Sequence, residues 1–154
     1  MFDYDLILID GSINLTAATD TPAISTTRLS ATGAAVIDLG AGGTPANGLA
    51  AVLILPTAAV AGSTLTGFIE ASNTEDMTTD SPAGTFELGK FGVASATKGV
   101  ILAAEVVAAT IPVIIVMRIS TPKRYVRANL TVSADPGNFY KVKCYLTPFP
   151  FKVL

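Results

Sequence analysis

The chain reads as an all-β protein, a single-domain antiparallel β-sandwich of jelly-roll-like form with about eight or nine strands. Three observations predict this. Short Val/Ile/Leu/Tyr/Phe runs alternate along the whole sequence with clusters of Gly, Pro, Asn, Asp and Ser. No window carries a sustained 3.6-residue apolar stripe with caps at both ends, which is what a surface helix needs. And 154 residues suit one domain, 1–154, that buries roughly 70% of its unfolded surface.

In chain order, strands are expected near 3–9, 34–39, 49–55, 64–72, 85–91, 98–107, 112–120, 124–134 and 138–147. The turn signals between them include TPANG (44–48), TDSPAG (79–84), STPK (120–123) and ADPGN (134–138), where Pro presets φ and Gly or Asn accepts left-handed backbone. The Thr/Ala/Ser-rich stretch 15–33, with Pro22, reads as a loop or an edge strand. The apolar run 49–62 has 14 residues, short of the about 20 that a spanning helix needs. The run 99–117 is long enough, but Glu105 and Pro112 interrupt it, and its β-branched residues read as two buried strands. The acidic start MFDYD has no basic segment before the apolar run, so no signal peptide is expected. The N-x-[ST] triplets at Asn14 and Asn129 are chance matches in a Thr-rich chain.

Charged residues make up 14% of the chain and hydrophobic ones 50%, against about 25% charged in ordinary soluble domains. Such a surface is either packed against partners or a neutral Thr/Ser-rich sheet. Net charge is −2, so bulk charge does not recruit nucleic acid. The charge is uneven: 3 basic and 11 acidic residues precede Arg118, and 7 basic and 1 acidic follow from it. With no His, the commonest general base, the usual hydrolase triads and most zinc sites are excluded. A single cysteine, Cys144, excludes an internal disulfide.

Two glycine-rich stretches imitate nucleotide motifs. GTFELGKF (84–91) fits G-x-x-x-x-G-K, yet Phe91 stands where the Mg²⁺-binding hydroxyl belongs and no helix pattern follows. Phe86, Leu88 and Phe91 read as packing residues of an irregular strand. LGAGGTPANG (39–48) begins a G-x-G-x-x-G but has Pro45 at the third glycine, and reads as a mobile hairpin loop. The acids Glu70, Glu75, Asp76 and Asp80 lack the spacing and central glycine of a calcium loop and read as a solvated loop.

Alternation assigns faces to the last strands. Val126, Ala128, Leu130 and Val132 point one way, and Tyr140, Val142, Cys144 and Leu146 share the other buried face. Asp135, Pro136 and Gly137 then close a hairpin between the two strands. Its outward side would combine Tyr125, Arg127, Lys141, Lys143 and Tyr145, with Phe139 beside them. Stacking aromatics beside cations suit a single nucleic-acid strand, an acidic protein surface, or an ordinary solvated sheet.

Several segments together resemble the capsid cement, or decoration, proteins of tailed bacteriophages, in particular the family first associated with a Bordetella short-tailed phage. They are MFDYDLILIDGSINLT, GLAAVLILPTA, TLTGFIEAS, GTFELGKF and TPKRYVRANLTV, in this order over most of the chain. The resemblance implies a jelly-roll domain on the outer surface of the virion capsid. There it would bridge neighbouring major capsid protein subunits against the pressure of packaged DNA, as a homodimer or homotrimer. It implies no enzyme activity, no cofactor, no nucleic acid and no membrane, and it assigns no contact residues. Other readings are a tail, fibre or head-completion component, a glycan-binding adhesion module, or a hydrolase or nucleotide enzyme.

Overall fold

A computed structural model describes residues 6–11, 15–16, 23–25, 33–58, 64–77, 85–91, 100–102, 112–132 and 138–148. Fourteen strands are defined in it. The first seven are β1 (Ile7–Asp10), β2 (Leu15–Thr16), β3 (Ala23–Ser25), β4 (Gly33–Ala35), β5 (Ile37–Asp38), β6 (Leu49–Leu55) and β7 (Thr57–Ala58). The second seven are β8 (Thr64–Ser72), β9 (Phe86–Phe91), β10 (Val100–Leu102), β11 (Val113–Ile119), β12 (Tyr125–Val132), β13 (Asn138–Tyr140) and β14 (Lys143–Pro148).

Two antiparallel sheets form the body. One has the order β1-β14-β6-β11; the other runs β10-β8-β12-β5, with β9 also on β8. The pairs β1/β14, β5/β12, β6/β11 and β8/β9 are nested. The first half of the chain is therefore matched against the second in reverse, as one long hairpin wound into two layers. That is the jelly-roll arrangement, two Greek keys that share one core. Short strands cap the body: β2-β13-β7 form a three-stranded sheet, and β3 lies parallel to β4.

The core lies between the sheets and follows the two-residue period of the strands. β12 contributes Val126, Ala128 and Leu130, β8 contributes Leu65, Ile69 and Ala71, β6 contributes Leu49, Ala51, Leu53 and Leu55, and β14 contributes Cys144 and Leu146. Phe91, Phe139, Leu8 and Ile37 close its ends, at 0–1% exposure. Each such large side chain stabilises the fold by about 1.5–3 kcal/mol relative to leaving it in water.

Several expected elements are placed differently. No hairpin joins the last two strands: β12 pairs with β8 and β5, β13 with β2 and β7, and β14 with β1 and β6. The expected 138–147 strand is cut in two because Lys141 takes a left-handed backbone, φ 51°, which breaks the alternation and lets the chain pass from the small sheet to the large one. Phe139 is consequently in the core, and Tyr145 is 9% exposed, not solvated. The 34–39 strand is likewise two pieces, β4 and β5. Of the expected 98–107 strand only β10 falls within the described residues, and the Asp135-Pro136-Gly137 turn lies outside them.

The stretch 39–48 does not close a hairpin either. It carries the chain from β5 in one sheet to β6 in the other, and 120–124 makes the return crossing from β11 to β12. The two loops are bonded together. Thr44 N donates to Thr121 O at 2.9 Å, Thr121 N to Thr44 Oγ1 at 3.0 Å, and Leu39 N to Arg124 O at 2.7 Å. Gly43, at φ 68°, lies so close to Thr121 and Pro122 that a Cβ would strike their backbone. Only glycine combines that conformation with that approach.

Candidate functional site

The five residues expected on one face are divided between two sheets. Tyr125 and Arg127 lie on β12, Lys143 and Tyr145 on β14, and Lys141 at the break before β14. The alternation is right for β12, and for 142–146 as far as Val142, Cys144 and Leu146 go, but Phe139 and Tyr145 were expected outward and are buried; the pairing fails because the nested topology sends β12 and β14 to opposite layers.

On the outer side of the β8/β12 sheet, Arg127 is already engaged. It stands opposite Glu70 in the ladder, and its Nε donates to Glu70 Oε2 at 2.6 Å; Asn129 Nδ2 donates to Oε1 at 3.3 Å. The Arg127 and Glu70 side chains are only 12% and 9% exposed. This is a sequestered ion pair that holds the sheet together. Charge reversal at Arg127 would therefore disrupt the fold as well as any surface. Nearby, Arg124 makes a bidentate pair with Asp38, 2.8 and 2.7 Å, and its guanidinium stacks 5.1 Å from the Tyr125 ring. Hydrogen bonding to Asp38, then the Asp38 charge, raises its pKa above the ordinary value.

The imitation phosphate loop is an edge strand. Lys90 lies in β9 beside Glu87 at 3.5 Å, Phe91 is in the core, and Gly84 lies outside the described residues. A Cβ on Gly89 would sit 2.5 Å from Met117 Sδ, so this glycine lets β9 pass close to β11 where the two sheets meet. The acids do not converge. Glu70 faces Arg127 from within β8, Glu75 and Asp76 are exposed in the following loop, and Asp80 is outside the described residues. Among the described residues no group of three or more His, Cys, Asp and Glu could hold a metal ion, and no helix is long and apolar enough to cross a membrane.

What the sequence reading missed is the outer side of the β1-β14-β6-β11 sheet. Cross-strand register sets out its rows: Ile7, Tyr145, Val52 and Val116 in one, and Lys143, Ile54 and Ile114 in the next. Asp10 flanks Lys143, and Arg118 and Thr147 lie opposite Ala50 at the other end. The first row is apolar apart from the Tyr145 hydroxyl, but Val52 and Tyr145 are buried, at 1% and 9% exposure, and only its β11 end is open. Ile114 and Val116 are 58% and 47% exposed, although the 112–120 segment was expected to be buried on both sides. Burial of the Tyr145 hydroxyl, then the Asp10 charge, raises its pKa. The signal was present in the sequence. β6, LAAVLIL, is apolar on both alternating faces, and an antiparallel strand with water on one side would not be.

Comparison of the chain with family models, with curated proteins and with solved structures returned no match.

Proposed function

We propose that this protein is a non-enzymatic, cofactor-free structural component of a phage virion, a cement that binds the outside of the icosahedral head and ties neighbouring major capsid protein subunits together. The observation that carries the reading is a jelly-roll body that exposes the apolar Ile114 and Val116 on the outer side of β11. Such a body offers a surface to grip and no convergent reactive groups among the described residues.

On β11 that outer side is open, with Ile114 58% and Val116 47% exposed, while Val52 and Tyr145 beside them are covered. Two such residues fall well under the about 800 Å² per partner of a stable binary complex. A surface of this size holds weakly by itself and gains strength from repetition. An oligomer spanning two or three capsid subunits raises the effective concentration of each further contact, and many such clamps act in parallel. The basic rim supplied by Lys143, Arg118 and Lys141 favours an acidic border on the partner.

The test is addition of the purified protein to expanded heads that lack it, with thermal release of DNA as the readout. Bound protein should raise the release temperature, and Ile114→Lys should lower occupancy on the heads while leaving the solution melting temperature of the protein in place. Heads that release DNA at the same temperature with and without the protein overturn the proposal.

A further inference from the structure

Of the five asparagines in the chain, only Asn47 is followed by glycine; the others precede Leu, Thr, Leu and Phe. An asparagine before glycine is chemically fragile. The next backbone nitrogen can attack the side-chain amide, and glycine has no Cβ to hinder that ring closure. Asn47 is exposed, in the loop that crosses from β5 to β6, so the water that the reaction consumes is at hand. The backbone around it is held in three ways. Gly48 N donates to Pro45 O at 2.7 Å and closes a turn. Asn47 O accepts from Arg118 Nη2 at 3.1 Å. Gly48 itself is buried, at φ 75°, and a Cβ there would stand 2.7 Å from Ile119 O. The glycine backbone is therefore packed against the end of β11.

We propose that Asn47–Gly48 is a latent deamidation site, kept unreactive by the bracing of the 39–48 loop against β11 and released when that bracing opens. The chemistry needs only water and base. The Gly48 nitrogen gives up its proton and bonds to Asn47 Cγ. The Cγ–Nδ2 bond breaks, and the side-chain nitrogen takes up a proton and leaves as ammonia. Water then opens the five-membered succinimide at one carbonyl or the other, giving aspartate or isoaspartate. Each brace opposes the first step. The proton that must leave Gly48 N is the one bonded to Pro45 O. Turning Asn47 so that Cγ meets that nitrogen swings its carbonyl away from Arg118 and moves Gly48 out of its place against Ile119. The products alter the same joint. Either acid adds one negative charge beside the Arg118 guanidinium, and isoaspartate adds a carbon to the main chain just before β6, whose Leu49 pairs with Ile119. This inference does not rest on the cement reading.

Conversion at residue 47 is followed at mildly alkaline pH by peptide mapping with mass spectrometry, and isoaspartate is detected by enzymatic carboxyl methylation. In the native protein only the fraction of time spent open reacts, so conversion should be at least about tenfold slower than in the same chain unfolded in guanidinium chloride. Arg118→Ala should speed native conversion several-fold and leave the unfolded rate as it was. Hydrogen exchange at the Gly48 amide of the unaltered protein needs no variant, and should be slow. Native conversion as fast as that of the unfolded chain overturns the proposal, and so does a Gly48 amide that exchanges as fast as one in an unstructured peptide. An unfolded chain that does not convert at residue 47 overturns the site itself. An Arg118→Ala protein with unchanged circular dichroism that converts no faster than its parent overturns the part given to Arg118.

Discussion

Arg127→Ala should destabilise the protein far more than its place on the outside of a sheet would indicate. Glu70 is 6% exposed and receives Arg127 Nε at 2.6 Å and Asn129 Nδ2 at 3.3 Å. Removing the guanidinium deletes a charge-assisted hydrogen bond worth about 1.5–3 kcal/mol, and leaves the carboxylate with one long neutral bond in a place that water scarcely reaches. Breaking a buried ion pair by removing one partner costs about 3–5 kcal/mol. Asn129 stays, and the pair keeps 12% and 9% side-chain exposure, so the cost sits at the low end, about 3 kcal/mol. For a chain of this length that corresponds to a fall in melting temperature of about 6–12 °C. Urea unfolding followed by far-UV circular dichroism measures it. The double variant Arg127→Met with Glu70→Met should recover part of the loss, because it removes both buried charges together. A loss below about 0.5 kcal/mol for Arg127→Ala, the range of ordinary surface substitutions, would refute the reasoning and return this face to a solvated sheet.

Three further outcomes can be checked on the purified protein. Gly43→Ala forces a left-handed backbone, φ 68°, onto a Cβ that meets the Thr121 and Pro122 backbone; it should cost about 2–3 kcal/mol. Gly89→Ala meets only the movable Met117 thioether and should cost about 1 kcal/mol. The reverse order by thermal melting would contradict the interlocked loops. Cys144 should not react with a thiol reagent until the protein is unfolded, since burial raises its pKa above the ordinary 9.0, and Tyr145 is raised above 10.0 by burial and by Asp10. The sign follows from proton counts. Between the unfolded and folded pKa values the native state keeps protons that the unfolded state has released. Stability should therefore be level with respect to these two groups at neutral pH, and fall as pH rises beyond about 9. A melting temperature unchanged from pH 8 to pH 11 would exclude both groups from native burial.

Much of the fold was legible in local pattern. The two-residue period places Val126, Ala128 and Leu130 inward, and the structure puts them there at 0% exposure. It also sends Val142, Cys144 and Leu146 inward, and it holds because each strand obeys its own alternation whatever it pairs with. Absence of helical periodicity, frequent turn residues and chain length were enough to indicate a β-sandwich. The imitation phosphate loop was correctly read as strand, since Phe91 and the missing helix pattern are local facts.

Pairing was not legible, because strands as far apart in sequence as Arg127 and Glu70 meet only through the winding of the whole chain. Nothing in RYVRANLTV or FYKVKCYLT says that one joins β8 and the other joins β6. The Asp135-Pro136-Gly137 signal between them made a hairpin the natural reading, and left-handed Lys141 undid it. The sequence by itself determined which side chains turn inward on each strand, because that depends only on backbone geometry and hydrophobicity. The tertiary structure alone decided which outward residues become neighbours: it joined Arg127 to Glu70, parted it from Lys143, and left Ile114 and Val116 exposed. Those relations arise from long-range contacts, which no local pattern of residues encodes.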